Sequence, residues 1–214
     1  MKLRTFFIDK FDQIPRRSAS RLLGMTPRFL CCLLVSCFLS FVSCDAVALN
    51  PFFGDKQNQV AFHFGAVGLN SGLLIPPPIQ FVPFNFVHFQ YSIPSTFFRL
   101  PARQSLNVVQ TFGWGVARGW SWYKYSIPIA VLTQDVALWH NDIHYFAVGA
   151  GMGFQAQENE RIGSKLVFSF RITYGFRIAE NTRLEIFAQH FSNGNTAPEN
   201  NSYAFYGIGV TRSF

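Results

Sequence analysis

Eight short strand-like runs occupy the chain from residue 58 to its end, and they restrict the fold more than any other feature. Apolar and polar residues tend to alternate within the runs, which is the pattern of a β-strand with two different faces, and Gly, Pro and Asn separate them. Each run is close to the ~9–11 residues that a tilted strand needs to cross a membrane. The runs are predicted at 58–68, 80–91, 104–117, 120–133, 143–156, 164–178, 182–193 and 202–214. Residues 126–140, SIPIAVLTQDVALWH, allow a different division of the fourth and fifth runs.

The composition favours a membrane protein over a soluble domain. Charged residues make up 14% of the 214 residues and aromatic residues 17%, including 26 Phe. Soluble domains average about 25% charged residues, and a soluble β-sheet protein with an outward apolar face would aggregate. We therefore predict an all-β fold, an eight-stranded antiparallel transmembrane β-barrel over 49–214, preceded by a signal peptide.

Residues 1–48 have the pattern of that signal peptide or leader. Arg28 precedes an apolar run at 29–44, and Ala46-Val47-Ala48 matches the small-x-small pattern of a cleavage site. We expect the mature chain to start near Leu49. Seven of the 18 basic and three of the 11 acidic residues lie in the leader, so the net charge falls from +7 to 11 − 8 = +3. No basic patch indicates a nucleic-acid partner.

Three other interpretations of the leader stay open. Met25 is an alternative start, because the chain from that residue has the form of an ordinary signal peptide. An N-terminal membrane anchor is a second alternative, although the apolar run is shorter than the ~20 residues of a spanning helix. The third is a lipoprotein with Cys44 as the lipidated residue. All four cysteines lie in the leader, so we expect no disulfide framework and no Cys-based metal site in the mature chain.

The chain ends in an alternating segment, YGIGVTRSF, at 206–214. A terminal Phe214 with apolar residues at alternate positions before it resembles the recognition signal of outer-membrane barrel proteins. It predicts localisation in the bacterial outer membrane and a partnership with the barrel-assembly machinery through Phe214. The alternative is an ordinary amphipathic edge strand that ends in Phe.

The direction of each strand follows from this assignment. Single-chain barrels of this class have both termini in the periplasm, with short turns there and longer loops outside. The last strand therefore runs inward to Phe214, and the strand at 182–193 runs outward. We predict an extracellular loop at 194–201 and a periplasmic turn at Ala179–Thr182.

A His and a Ser share one face of the seventh strand. Alternation places His190 and Ser192 with Leu184, Ile186 and Ala188 on the lipid face, near the headgroup–acyl boundary of the outer leaflet. A Ser hydroxyl beside a His is the minimum nucleophile–base pair for attack on an ester carbonyl. A polar pair on a lipid-facing surface has a desolvation cost that usually needs a functional reason.

An oxyanion formed by that attack needs hydrogen-bond donors. Asn193 follows Ser192 directly, and three more Asn crowd the adjoining loop, at Asn195, Asn200 and Asn201. Gly194 allows a sharp turn after the strand.

The segment HFSNG at 190–194, followed by Pro198, Asn200 and a closing strand, resembles the His-x-Ser-Asn signature of the lipid A 3-O-deacylase (PagL-type) family. The resemblance extends over 143–214 and includes the segment GAGMGF at 149–154. It implies an outer-membrane esterase with lipid A (lipopolysaccharide) as substrate, surrounded by outer-membrane lipid. It implies His190 as base and Ser192 as nucleophile, with Asn193 and Asn200 as oxyanion or positioning residues, and no cofactor or metal.

The sequence departs from the family at one position. The best-studied members of the family have a Glu on the last strand that orients the His, and its place here is near Ala204. Ser202, Ala204 and Tyr206 are the outward candidates, and none is a carboxylate. Glu199 is the only acid nearby and is the third catalytic candidate, whereas Glu185 lies on the opposite face from His190. The alternatives are a backbone carbonyl that orients the His, or a slow enzyme.

Two other functions are consistent with the sequence. One is a non-catalytic, structural or adhesive eight-stranded barrel that acts through its loops, and the other is a phospholipase that uses the same pair. His140, Asp142 and His144 have a spacing that could suggest a metal site, but a polar strand end explains them better, so we expect no metal. The sequence leaves a homodimer open.

Overall fold

The computed structural model describes residues 50–54, 58–69, 80–112, 116–117, 120–121, 126–159, 161–200 and 202–214. The predicted leader at 1–48 lies outside the described residues. No helix in the described part of the chain is long and apolar enough to cross a membrane.

Ten strands lie within the described residues. Eight of them close into an antiparallel barrel in the order β1-β10-β9-β8-β7-β6-β3-β2, which confirms the predicted fold class. The other two, β4 and β5, pair only with each other. The strands are β1 (Gln59–Leu69), β2 (Gln80–Phe97), β3 (Leu100–Thr111), β4 (Val116–Ala117), β5 (Trp120–Ser121), β6 (Pro128–His140), β7 (His144–Gln155), β8 (Leu166–Ala179), β9 (Thr182–Ser192) and β10 (Tyr203–Ser213).

The prediction for the third and fourth strands was wrong at its boundaries. The runs at 104–117 and 120–133 were expected in the barrel, but the barrel strands are β3 (Leu100–Thr111) and β6 (Pro128–His140). Between these two barrel strands, β4 and β5 pair with each other and with no barrel strand, although Val116 and Trp120 are residue types common in strands. Pro128 begins β6, a position where the missing N–H of a proline is tolerated.

The second strand is longer than predicted. β2 continues past residue 91 and through Pro94, which pairs in register with Arg103 of β3. It ends at Phe97, and the turn that follows consists of Phe98 and Arg99, whose φ angles are +47° and +69°. Two consecutive left-handed residues form the tight hairpin turn that matches strand twist, and neither residue type indicates this turn.

Short and long connections alternate around the barrel. Residues 98–99, 141–143 and 180–181 form short connections at one end, while the connections at 156–165 and 193–202 belong to the opposite end. The turn predicted at Ala179–Thr182 and the loop predicted at 194–201 are found at these places.

The outer surface of the barrel is apolar, whereas the interior contains many polar and charged side chains together with an apolar cluster. Large hydrophobic side chains face outward from every barrel strand that has described side chains. This inverts the arrangement of a soluble protein and is the arrangement of a barrel whose solvent is lipid. Outward examples are Phe62, Phe89, Leu106, Leu132, Phe154, Phe170, Ile186 and Val210.

A network of buried charges fills the middle of the interior. Glu185 accepts hydrogen bonds from Arg103 Nη1 at 2.7 Å and from Arg171 Nη2 at 3.3 Å. Its Oε2 lies 3.0 Å from His63 Nε2, and Arg103 Nε donates to Asp135 at 2.9 Å. These five side chains are at most 1% exposed. Two carboxylates thus face two guanidinium groups, which is the condition for burying charge without a large penalty. Glu185 is therefore an interior residue, as its position opposite the face of His190 predicted.

Candidate functional site

The predicted pair lies on the outer face of β9. Burial alternates along this strand, with Glu185 and Gln189 fully buried and Ile186 51% exposed on the other face. His190 and Ser192 have the parity of Ile186 and are half-buried. Since a strand rises about 3.3 Å per residue, their Cα atoms are roughly 6–7 Å apart along the strand. No hydrogen bond of the described residues joins the two side chains.

An aromatic cluster anchors this end of β9 from inside the barrel. Phe191 lies between His190 and Ser192 in sequence, points inward and is 0% exposed. Its ring packs edge-to-face on Phe205 of β10, with centroids 5.2 Å apart. Phe205 in turn packs on Phe86 of β2 at 5.0 Å. This packing fixes the backbone from which the two polar side chains project outward.

The neighbours of His190 across the sheet are Ala204 on β10 and Phe170 on β8. Ala204 is therefore the residue beside the imidazole at the place expected for an orienting carboxylate, and its methyl group is fully buried. Nδ1 of His190 is buried and has no hydrogen-bond partner among the described residues. A buried polar atom without a partner is costly, so this nitrogen is a place where a hydrogen-bond acceptor would stabilise the protein.

Asn193 organises the loop that follows β9. Its Nδ2 donates to the carbonyls of Ala197 at 3.2 Å and Glu199 at 2.7 Å, and its Oδ1 accepts the N–H of Asn195 at 2.8 Å. Its backbone N–H donates to Oδ1 of Asn200 at 3.1 Å. Asn193 is 0% exposed. In this conformation both amide hydrogens of the Asn193 side chain bond to carbonyls of the loop. The Asn193 side chain therefore shapes the loop and has no hydrogen left to donate to an oxyanion.

Of the two predicted oxyanion donors, Asn200 has an amide hydrogen that the loop bonds do not use, whereas Asn193 has none. Nδ2 of Asn200 donates one hydrogen bond, to Oδ1 of Asn195 at 2.9 Å, and the amide has a second hydrogen. Asn200 also forms an isolated backbone bridge with Ile162 of the neighbouring loop. Its position is therefore set by two loops at once.

Gly194 is required by the turn between these residues. Gly194 and Asn195 have φ angles of +61° and +62°. A Cβ on Gly194 would lie 2.8 Å from the ring of Phe168, the residue that pairs with Ser192 on β8. A larger residue would have to displace that ring or the loop.

Glu199 does not orient His190 in this conformation. Its carbonyl accepts the N–H of Gly163 at 3.0 Å, and its carboxylate oxygen would lie 2.6 Å from a Cβ built on Gly163. The carboxylate thus lies against the 156–165 loop. Nδ1 of His190 has no partner, so it donates no hydrogen bond to Glu199.

Arg161 is a site residue that the sequence did not indicate. It is 1% exposed, and its Nε and Nη2 donate to the carbonyl of Ser202 at 3.1 and 2.9 Å. Its guanidinium lies 5.9 Å from the ring centroid of Tyr203. Arg161 thereby fixes the start of β10, two residues before Ala204. The sequence of the 156–165 loop is polar, and nothing in it indicates that Arg161 is buried against the 193–202 loop.

The described residues contain no group of three or more His, Cys, Asp or Glu that could hold a metal ion. His140 and Asp142 are exposed at the end of β6 and in the turn after it. Nδ1 of His144 lies 2.8 Å from the hydroxyl of Tyr174.

Comparisons with known proteins give one family and several structures. The family described as "Lipid A 3-O-deacylase (PagL)" matches residues 87–212, more than half of the chain. The crystal structure of the outer membrane enzyme PagL is 15% identical, with a TM-score of 0.47, and the match covers 73% of this chain and 99% of that chain. Neisserial surface protein A is 10% identical, with a TM-score of 0.47 and 73% and 97% coverage. The attachment invasion locus protein of Yersinia pestis is 9% identical, with a TM-score of 0.41 and 74% and 99% coverage. No curated protein sequence matches this chain.

Proposed function

The chain belongs to the lipid A 3-O-deacylase (PagL) family of ester hydrolases, and from this premise we propose that Ser192 and His190 remove the 3-O-linked acyl chain of lipid A. The observation that carries the proposal is the presence of a Ser and a His on one outward face of β9, where a membrane lipid can reach them. A barrel with only a structural role has no need for this pair in an otherwise apolar surface.

In the first step, Nε2 of His190 takes the hydroxyl proton of Ser192 while Oγ attacks the ester carbonyl. Nε2 is the nitrogen assigned to this step because Nδ1 is buried. The tetrahedral intermediate expels the sugar oxygen, which takes the proton back from His190. Water then attacks the acyl-enzyme with His190 again as base, which releases the fatty acid and restores Ser192.

The oxyanion of the tetrahedral intermediate needs donors that are already in place. We assign the free amide hydrogen of Asn200 to this role, and Asn193 supports it by holding Asn200 through its backbone N–H. Removing one such donor typically lowers kcat by about 10²–10³-fold.

The apolar outer surface of the barrel supports access of the substrate to the pair directly from the lipid bilayer. The outer surface of the barrel is apolar, and the pair lies near the end of β9 with the long connections. We place the chain in the outer membrane with this end outside, so that the pair faces the outer leaflet, where lipid A resides. The substrate is then already beside the site, and no pore or cleft is required. Assembly through Phe214 and the barrel-assembly machinery belongs to the same proposal.

The missing carboxylate predicts a slow enzyme. Ala204 occupies the position beside His190, and Glu199 lies against the neighbouring loop. In Ser–His systems, loss of the orienting group lowers kcat by roughly 10⁴-fold and leaves residual catalysis from the remaining groups. We therefore expect deacylation over hours rather than seconds, unless substrate binding brings Glu199 to the ring.

Mass spectrometry of lipid A from cells that express the chain tests this function. The expected result is the loss of one 3-linked acyl chain, which Ser192→Ala and His190→Ala abolish. His140→Ala is the matched control, because it makes the same change on an exposed residue at the other end of the barrel. An unchanged lipid A profile with folded protein in the membrane would instead support a non-catalytic barrel.

A further inference from the structure

Residues 50–54, which precede β1, lie against the end of the barrel that has the short connections at 98–99, 141–143 and 180–181. We propose that they form a plug that closes this end and keeps water away from the buried charges of the interior. We call the segment the N-terminal plug. The proposal is independent of the proposed hydrolysis, because the plug and the candidate pair lie at opposite ends of the barrel.

The N-terminal plug is a compact turn that is tied to the barrel by hydrogen bonds. The N–H of Phe53 donates to the carbonyl of Asn50 at 3.0 Å, which closes the turn. Nδ2 of Asn50 donates to the carbonyl of Ala102 on β3 at 2.6 Å. Nε2 of Gln59 on β1 donates to the carbonyl of Phe52, also at 2.6 Å. Two barrel strands therefore hold the turn in place.

The two phenylalanine rings of the plug fill space at the end of the barrel. Phe52 is 0% exposed and Phe53 is 1% exposed, and both belong to one apolar cluster with Ala137, Ala147 and Tyr145. Ala137 and Ala147 pair across β6 and β7 and contribute only methyl groups, so these strands leave room for the rings. The interior of an eight-stranded barrel is just wide enough for side chains to fill, so two rings are enough to close one end of it.

Phe52 also contacts the charged network directly. The guanidinium carbon of Arg103 lies 4.7 Å from the centroid of the Phe52 ring. The same ring packs edge-to-face on Tyr145, with centroids 4.8 Å apart. The Tyr145 hydroxyl and Nη1 of Arg103 both donate to the carboxylate of Glu185. Phe52 therefore covers the side of the network that faces the short-turn end.

A second apolar cluster closes the interior on the other side of the network. It includes the inward rings of Phe86, Phe187, Phe191 and Phe205 on β2, β9 and β10. The charged network thus lies between two apolar layers, and the layer at the short-turn end depends on the N-terminal plug. Attraction between opposite charges is stronger where water is excluded. By excluding water, the plug strengthens the ion pairs that join β3, β8 and β9.

The accessibility of an introduced thiol in the folded barrel tests the plug. The reporter is Ala147→Cys, a small change at a fully buried residue in the same cluster as the two rings. The probe is a small cationic methanethiosulfonate, and mass spectrometry of the peptide that contains residue 147 measures its rate of reaction. The reporter should be protected while the plug is intact. Phe52→Ala combined with Phe53→Ala should raise the rate by about tenfold or more, because the thiol then reacts without a local opening of the structure.

Three further variants serve as controls. Phe98→Ala makes the same truncation on an 86% exposed ring at the same end of the barrel, and it should leave the reporter protected. Phe52→Leu combined with Phe53→Leu keeps apolar side chains in the plug and should also leave the reporter protected. A second reporter, Val109→Cys, lies in the apolar layer on the other side of the network and detects general unfolding.

Faster labelling of the first reporter alone, in the double Ala variant but not in Phe98→Ala, supports the plug. Equal protection in these two variants would overturn it, and so would rapid labelling while the plug is intact. If the second reporter is labelled as well, the double Ala variant has unfolded, and Asn50→Ala decides, because it removes only the bonds of the Asn50 side chain. Faster labelling of the first reporter in Asn50→Ala then supports the plug, and unchanged protection contradicts it.

Discussion

Ala204→Glu should convert a slow enzyme into a faster one. Ala204 pairs directly with His190, and directly opposed residues on one face have Cβ atoms ~4.5–5.5 Å apart. A glutamate at this position can place its carboxylate beside Nδ1, the ring nitrogen that has no partner in the described structure. The carboxylate would hold the tautomer with the proton on Nδ1 and stabilise the imidazolium that forms during attack.

The size of the gain follows from the cost of losing such a group elsewhere. An orienting carboxylate accounts for roughly 10⁴-fold in kcat, or about 5.4 kcal/mol at 1.36 kcal/mol per tenfold change. Ala204 is fully buried, so a new carboxylate has a desolvation cost that offsets part of this gain. We therefore expect kcat to rise by about 10²-fold or more.

Ala204→Gln is the matched control. It has nearly the same shape and can accept a hydrogen bond from Nδ1, but it carries no charge. A neutral hydrogen bond contributes about 1 kcal/mol, so Gln should raise kcat by less than about tenfold. The assay is the initial rate of 3-O-deacylation of purified lipid A in micelles, with folding checked by heat-modifiable migration in electrophoresis. A folded Ala204→Glu barrel with kcat equal to or below that of wild type would refute the reasoning.

Three further changes test other parts of the account. Asn193→Ala removes the three hydrogen bonds of the Asn193 side chain that shape the loop. We expect kcat to fall by about 10²-fold with little change in barrel stability, measured by lipid A deacylation and by urea unfolding. Arg161→Lys should lower kcat several-fold with KM nearly unchanged, because a lysine cannot reproduce the paired bonds from Nε and Nη2 to the Ser202 carbonyl. Glu185→Gln should destabilise the barrel by about 3–5 kcal/mol, because it leaves Arg103 and Arg171 buried without their shared carboxylate. Urea unfolding in lipid vesicles measures this, and a Glu185→Gln barrel as stable as wild type would contradict the role of the network.

The alternation of side chains made the barrel and the outward pair predictable. Inward Glu185 and outward His190 differ by an odd number of residues, and strand geometry alone puts them on opposite faces. The boundaries of β3 and β6 were not predictable in the same way. β5 contains a Trp that looks like a barrel residue, but its pairing partner is β4, and pairing is a tertiary property.

The side-chain contacts of the candidate site could not be predicted from the sequence, because they too depend on tertiary structure. Asn193 was predicted as an oxyanion donor because it follows Ser192, yet its side chain bonds to carbonyls four and six residues later. Glu199 is near His190 in sequence, but the contact of its backbone and carboxylate with Gly163 turns it towards another loop. Arg161 belongs to that loop. Contacts between loops depend on how the two strand ends meet, and no local pattern encodes them.

Covalent trapping of Ser192 tests the central claim most directly. A long-chain alkyl fluorophosphonate, added to the folded barrel in micelles, should modify one residue, and peptide mass spectrometry should place the added mass on Ser192. His190→Ala should lose the label because the base is gone, and His140→Ala should keep it. Deacylation of lipid A by a barrel whose Ser192 stays unlabelled, or a label that persists in His190→Ala, would contradict the account.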